Sequence, residues 1–190
     1  MDDISRELGI SKKTLYLYFT DKTDLVNKVT DFEIDRIKEC FVSVTAFGTN
    51  AISELFEVNR FMIEMMKRNS PSFEYDLKKY YPDIFQKVLL NRRKGMIDSV
   101  LANLRRGKEE GLYRAELKED IITKLQISRL ENIYSDVMFK IEDYGAENIF
   151  KEMFIYHIRG IANEAGIKYL EGNIHKFDYS EKEIFKDKQG

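Results

Sequence analysis

The chain has 190 residues, of which 43% are hydrophobic and 34% charged, with a formal net charge of −2. That length buries one core, or one core with a small module beside it, and so balanced a charge leaves any nucleic-acid argument to local clusters. One cysteine, Cys40, excludes an intrachain disulfide framework and a cysteine-rich zinc site, and no apolar run reaches the roughly 18 residues that span a bilayer. Met1-Asp2-Asp3 is not a secretory opening, so a cytoplasmic protein without a membrane partner is expected.

Hairpin dipeptides and sustained period-two alternation are missing, which predicts an all-α chain of about eight helices. Two short helices are expected over roughly 2–8 and 12–19. A long one follows from Lys22, capped by Asp21, to about Phe47, with Val26, Val29, Ile37, Phe41 and Val44 on one face and Gly48 ending it. The next covers about Asn50 to Arg68, with Ile52, Leu55, Phe56, Met62, Ile63 and Met66 in a wide stripe. Pro71 and Pro82 each suit a first helical position, predicting a short helix over 72–80 and a long one from Pro82 to Glu110, closed by Gly111. One helix is then expected over 118–142, with Ile122, Leu125, Ile133, Val137 and Ile141 inward, and one over 146–170. The second is apolar around much of its girth, which suits a deeply buried helix or one shared with a partner chain. Ser180 and Glu183 make a capping-box pattern near the end.

The chemistry is densest at the start of the chain. Asp3 to Leu8 reads as an amphipathic helix stopped by Gly9, and Ser11 is a natural N-cap for the helix after it. Ile4, Leu8, Ile10, Leu15 and Phe19 are the apolar residues available to hold the pair, which leaves Lys12, Lys13, Thr14, Tyr16 and Tyr18 pointing out. Between Ser11 and Lys22 stand three lysines and one aspartate, so this stretch is locally positive. A helix presenting lysine, threonine and tyrosine can enter a major groove, where base edges give specificity and phosphates fix register. The N-terminus of the helix starting at Lys22 offers further N–H groups to a phosphate.

The segment from Asp2 to Leu25, with Gly-Ile-Ser, Thr-Leu-Tyr-Leu-Tyr-Phe and Lys-Thr-Asp-Leu at fixed spacing, closely resembles the DNA-binding motif of TetR-family transcriptional regulators. Gly-Leu-Tyr-Arg at 111–114 agrees more loosely. The resemblance implies a homodimeric regulator, a repressor by expectation, that binds double-stranded operator DNA and responds to a small-molecule effector in its C-terminal body. It makes Lys12, Lys13 and Thr14 base or backbone contacts, with Ser11 at their helix start, and makes Tyr16, Tyr18 and Lys22 phosphate contacts. The family usually has one more helix before this motif, so an incomplete three-helix unit is expected at residues 1–28, with Ile4, Leu8, Leu15 and Phe19 partly uncovered. Residues 29–190 would form the ligand-binding and dimerisation domain. A regulator-derived sensor that no longer binds DNA is the alternative.

Phe61, Met62, Met65, Met66, Phe85, Met96, Tyr134 and Met138 could line a largely apolar effector pocket, or could equally be ordinary core. Dimerisation is expected through the last two long helices, with Ile133, Val137, Phe150, Phe154, Ile158 and Ile161 as candidate interface residues. His157 and His175 stand outside any metal-ligand spacing, and no nucleophile elbow, phosphate loop or acid–base dyad is legible, so neither enzyme activity, a cofactor nor a metal is expected. The Arg92-Arg93-Lys94 and Arg105-Arg106 clusters read as solvated helix faces.

Overall fold

The computed structural model describes residues 1–68, 71–134 and 141–177. In chain order its helices are α1 Asp2–Glu7, α2 Lys12–Tyr18, α3 Lys22–Ala46, α4 Ala51–Arg68, α5 Pro71–Tyr80, α6 Pro82–Glu109, α7 Glu119–Tyr134, α8 Ile141–Tyr144, α9 Ala146–Ile161 and α10 Glu164–Asn173, with a 3-10 turn at Ile174–Phe177. The fold is all-α, and the one β-type pairing among the described residues is a bridge between Tyr113 and Ala162. Helix boundaries up to α6 fall within a residue or two of those read from capping and periodicity. The capping box at Ser180 lies outside the described residues.

The chain forms two compact units, Met1–Cys40 with Ser70–Arg92, and Phe41–Asn69 with Arg93–Gly190. α3 runs unbroken through positions 28 and 29, so the backbone has no break there. In the first unit Leu77, Ile84 and Phe85 are buried, with Val26, Tyr81, Val88 and Leu89 packed around them. Lys87 fastens the start of α6 to α3 through Asp31 at 2.5 Å and the Asn27 side chain at 3.2 Å. Val29 was expected on the inner face of α3 but is exposed; the buried residue beside it is Thr30, whose hydroxyl donates to the Val26 carbonyl at 2.7 Å. That local bond satisfies the hydroxyl and lets a threonine take the inward place.

The second unit is built on α4, which is buried on nearly every side and packs against α9. Ala51, Ile52, Phe56 and Ile63 meet the apolar faces of neighbouring helices in one core with Leu104, Ile127, Leu130, Phe150, Phe154, Ile158 and Leu170. A polar network anchors the N-terminus of α4. Glu54 accepts from Arg106 at 2.8 Å and from Asn103 at 3.1 Å, Glu110 accepts from the Ala51 N–H at 2.7 Å, and Arg106 also donates to the Gly48 carbonyl at 3.0 Å. Arg106 is therefore a half-buried structural cation rather than part of a solvated face.

The helix expected over 146–170 is two helices. α6 ends in a Schellman turn, with Gly111 at φ +68, its N–H on Lys108 and the Leu112 N–H reaching back to Gly107. The next residues run alongside the end of α9: Arg114 N–H donates to Ile161, and Asn163 N–H donates to Leu112, both at 3.0 Å. Ala162 is extended there, and Asn163 restarts the helix by accepting the Gly166 N–H at 3.1 Å. Tertiary hydrogen bonds replace the helical ones, which local periodicity does not register. Gly166 fits because a Cβ there would lie 2.2 Å from the Leu112 carbonyl oxygen.

α7 also presents a different face from the expected one. Ile133 is buried, but so are Thr123, Gln126, Ile127 and Leu130, whereas Leu125 is 55% exposed and Ile122 half-buried. Apolar residues lie on two sides of this helix, so counting them does not select the inner one. Val137 lies outside the described residues.

Candidate nucleic-acid interface

α1 ends in a second Schellman turn: Gly9 sits at φ +64, its N–H bonds to Arg6, and the Ile10 N–H reaches Ser5. The turn delivers Ser11 in extended conformation, and its hydroxyl accepts the Thr14 N–H at 3.0 Å to cap α2. Of α2 only Leu15 is buried, at 2% exposure, so the expectation that it would be uncovered is corrected: it is the residue this helix turns inward. Leu8 is 61% exposed, while Ile4 and Phe19 are half-buried.

The other side of α2 is open. Lys12 and Lys13 are exposed, as are Tyr16 and Tyr18, and so is Leu17, an apolar residue that reading by residue type left unassigned. Thr14 is half-buried and its hydroxyl is 2.8 Å from that of Ser11. Lys12 is engaged: its ammonium sits 2.8 Å from Asp2, pinning α2 to α1. The hydrogen bond between them raises the lysine above its ordinary pKa and lowers the aspartate below its own. Lys13 and Lys22 form no ion pair among the described residues and stay fully available to an anion.

The entry to α3 is closed by side chains. Asp21 accepts the Asp24 N–H at 2.8 Å, and Asp24 accepts the Thr20 N–H at 2.9 Å. The bond from the Thr20 N–H, and then Lys28, hold the Asp24 carboxyl below its usual range. Lys28 also donates to the Tyr18 carbonyl at 2.9 Å and lies over the Phe19 ring, which fixes the exit of α2. At this terminus Lys22 stands beside the Asp21 carboxylate, whereas the exposed side of α2 carries Lys12, Lys13, Tyr16 and Tyr18.

The remaining candidates scatter. Phe61 and Met62 are buried, and Met65, Met66 and Met96 half-buried, in the second unit. Phe85 belongs to the apolar cluster of the first unit. Neither Met138 nor the side chain of Tyr134 is among what is described. A groove of about 430 Å³ does open in the second unit, lined by residues of α7 and α9 including Ile122, Leu125, Arg129, Tyr156 and Gly160, none of them on the expected pocket list.

The interface candidates need correction. Ile133, Phe150, Phe154, Ile158 and Ile161 are all at 3% exposure or less within a single chain, so they are core and offer no surface to a partner. Outward on α7 and α9 stand Ile121, Leu125 and Tyr156, exposed at 47%, 55% and 72%. His157 is 3% exposed and held neutral, its pKa lowered to about 3 first by burial and then by the Arg129 charge. No group of three metal-ligating side chains occurs among the described residues, and no helix among them is long and apolar enough to cross a membrane.

These features define an all-helical protein with an N-terminal helix-turn-helix. Residues 1–29 match the family model described as bacterial regulatory proteins, tetR family, so the TetR-family resemblance of the motif is upheld. The fold agrees: the chain is similar to the solved ketosteroid transcriptional regulator KstR2 of Mycobacterium tuberculosis at 18% identity, with a TM-score of 0.55, covering 85% of this chain and 84% of that one. No curated protein matches the chain.

Proposed function

We propose that this chain is a ligand-responsive dimeric transcriptional regulator, a repressor in its simplest form, that binds operator DNA through α2. The observation that supports this best is the exposed Lys12, Lys13, Tyr16 and Tyr18 face, set by the Gly9 turn and the Ser11 cap inside the segment matched by the family model. Residues 1–28 are the DNA-reading part and residues 29–190 the sensing and dimerising part. In a dimer two copies of α2 read half-sites about 34–36 Å apart, and an effector that favours one spacing shifts the population between bound and released states.

The effector is a largely apolar small molecule. The half-buried Met65, Met66 and Met96 are the best placed of the pocket candidates, since flexible thioether side chains repack around a ligand at little cost. Dimerisation uses the outward faces of α7 and α9, where Ile121, Leu125 and Tyr156 expose apolar surface on neighbouring helices.

Fluorescence anisotropy against DNA from the chain's own operon tests the reading. Saturable, salt-sensitive and sequence-dependent binding is expected, and Lys13→Ala combined with Tyr16→Ala abolishes it. Binding that is absent in the unmodified protein, or untouched by the double substitution, refutes the assignment to α2.

A further inference from the structure

We propose that the groove on α7 and α9 is completed by a second copy of this chain, whose Glu152 carboxylate pairs with Arg129, and that the pairing is reciprocal. The inference rests on the dimer reading above and adds the residues that close it.

Among the described residues Arg129 is a cation without an acid. Its Nη1 is shielded from solvent and makes no hydrogen bond, and no carboxylate among the described residues lies within ion-pair distance. What it does touch is neutral: Nη2 donates to His157 Nδ1 at 3.4 Å, and the guanidinium carbon lies 5.2 Å from the centre of the Tyr156 ring. Burial lowers its pKa, as it does for a guanidinium lacking a counter-charge. A partly desolvated cation left in this state is costly, and an opposing carboxylate relieves the cost.

The surroundings say where that carboxylate comes from. The groove walls, Ile122, Leu125 and Ile161, are apolar, and Leu125 and Tyr156 expose most of their surface beside them. Gly160 lies on the groove, and a Cβ there would meet nothing within 4 Å on its own chain. The surface at this point is therefore open, and a glycine leaves room for another backbone to come close. One turn before Tyr156, on the same side of α9, stands Glu152, exposed and without an ion pair among the described residues. The other cation on the groove, Arg159, already lies 3.6 Å from Glu171. Among the described residues this face thus carries an unmatched cation, Arg129, and an unmatched acid, Glu152, beside exposed apolar side chains. Two-fold symmetry presents each to the other's counterpart and satisfies both twice.

Sedimentation velocity on the full chain tests this with charge-reversed variants. Arg129→Glu and Glu152→Arg each sediment as monomers at micromolar concentration, and an equal mixture of the two forms a heterodimer, because each variant supplies the charge the other lacks. Unchanged circular dichroism confirms that both fold. A folded Arg129→Glu that dimerises like the parent overturns the pairing and leaves the dimer reading standing. Failure of the two folded variants to associate when mixed also overturns it, because complementary charges across the interface would have restored the dimer. A parent protein that is itself monomeric overturns both readings. Should a charge-reversed variant fail to fold, the milder Arg129→Gln and Glu152→Gln serve in a double-mutant cycle. Each weakens dimerisation about tenfold, and the double variant is no weaker than either single; additive losses overturn the pair.

Discussion

Tyr113 and His157 are buried polar residues held in opposite ways. The Tyr113 hydroxyl donates to Asn103 Oδ1 at 2.9 Å and burial raises its pKa well above the ordinary value, so it stays a donor at every working pH. Its ring lies against Gly107, where a Cβ would come within 2.1 Å of ring carbons. Gly107→Ala therefore destabilises by about 1–3 kcal/mol, read from the urea midpoint, because a ring fastened at its hydroxyl has nowhere to retreat. His157 has a folded pKa of about 3 against an ordinary value of 6.5, so the unfolded chain takes up the proton first. Its contribution is fully present above about pH 6.5 and is lost as pH falls toward 3, at no more than about 1.4 kcal/mol per pH unit. Replacing it, as in His157→Asn, lowers stability at neutral pH but flattens the fall between pH 6.5 and 4.5, which urea titrations at several pH values measure.

At the scale of elements, the helix-turn-helix was the most legible part of the chain. Gly9, Ser11 and Asp21 each do the local job their residue types suggest, and no distant contact is needed to set the turn or the caps. α2 has only seven residues, so its cap matters: Ser11→Ala costs about 0.5–2 kcal/mol and, in the regulator proposed, weakens DNA binding through fraying of the helix, visible as lost helicity alongside a raised anisotropy Kd. Less was legible toward the C-terminus, for identifiable reasons. The break at Ala162 is made by hydrogen bonds to Leu112 and Arg114, some fifty positions earlier, and the buried face of α7 includes Thr123 and Gln126, which a hydrophobic stripe excludes. The apolar residues assigned to a partner chain, such as Phe154 and Ile158, fill the chain's own core instead. Periodicity identifies an apolar face without saying who covers it. Asn163→Ala removes the α10 cap and the 2.8 Å bond to the Gly111 carbonyl, and a loss of about 1–2 kcal/mol is expected in thermal melts.

For the molecule as a whole, the ion pair between Lys12 and Asp2 means that one cation of α2, the helix proposed to read DNA, already carries its own counter-ion. Binding of a phosphate by Lys12 is then an exchange of one anion for another, with no net release of a salt ion from that position. In the regulator proposed, the slope of log affinity against log salt accordingly counts only the lysines that begin unpaired, Lys13 and Lys22 among them. Asp2→Asn returns Lys12 to the solvent, and the slope steepens by about 0.9 for each subunit on the operator. In that proposed regulator a single aspartate at the start of α1 thus tunes how strongly ionic strength, rather than sequence, governs residence on DNA.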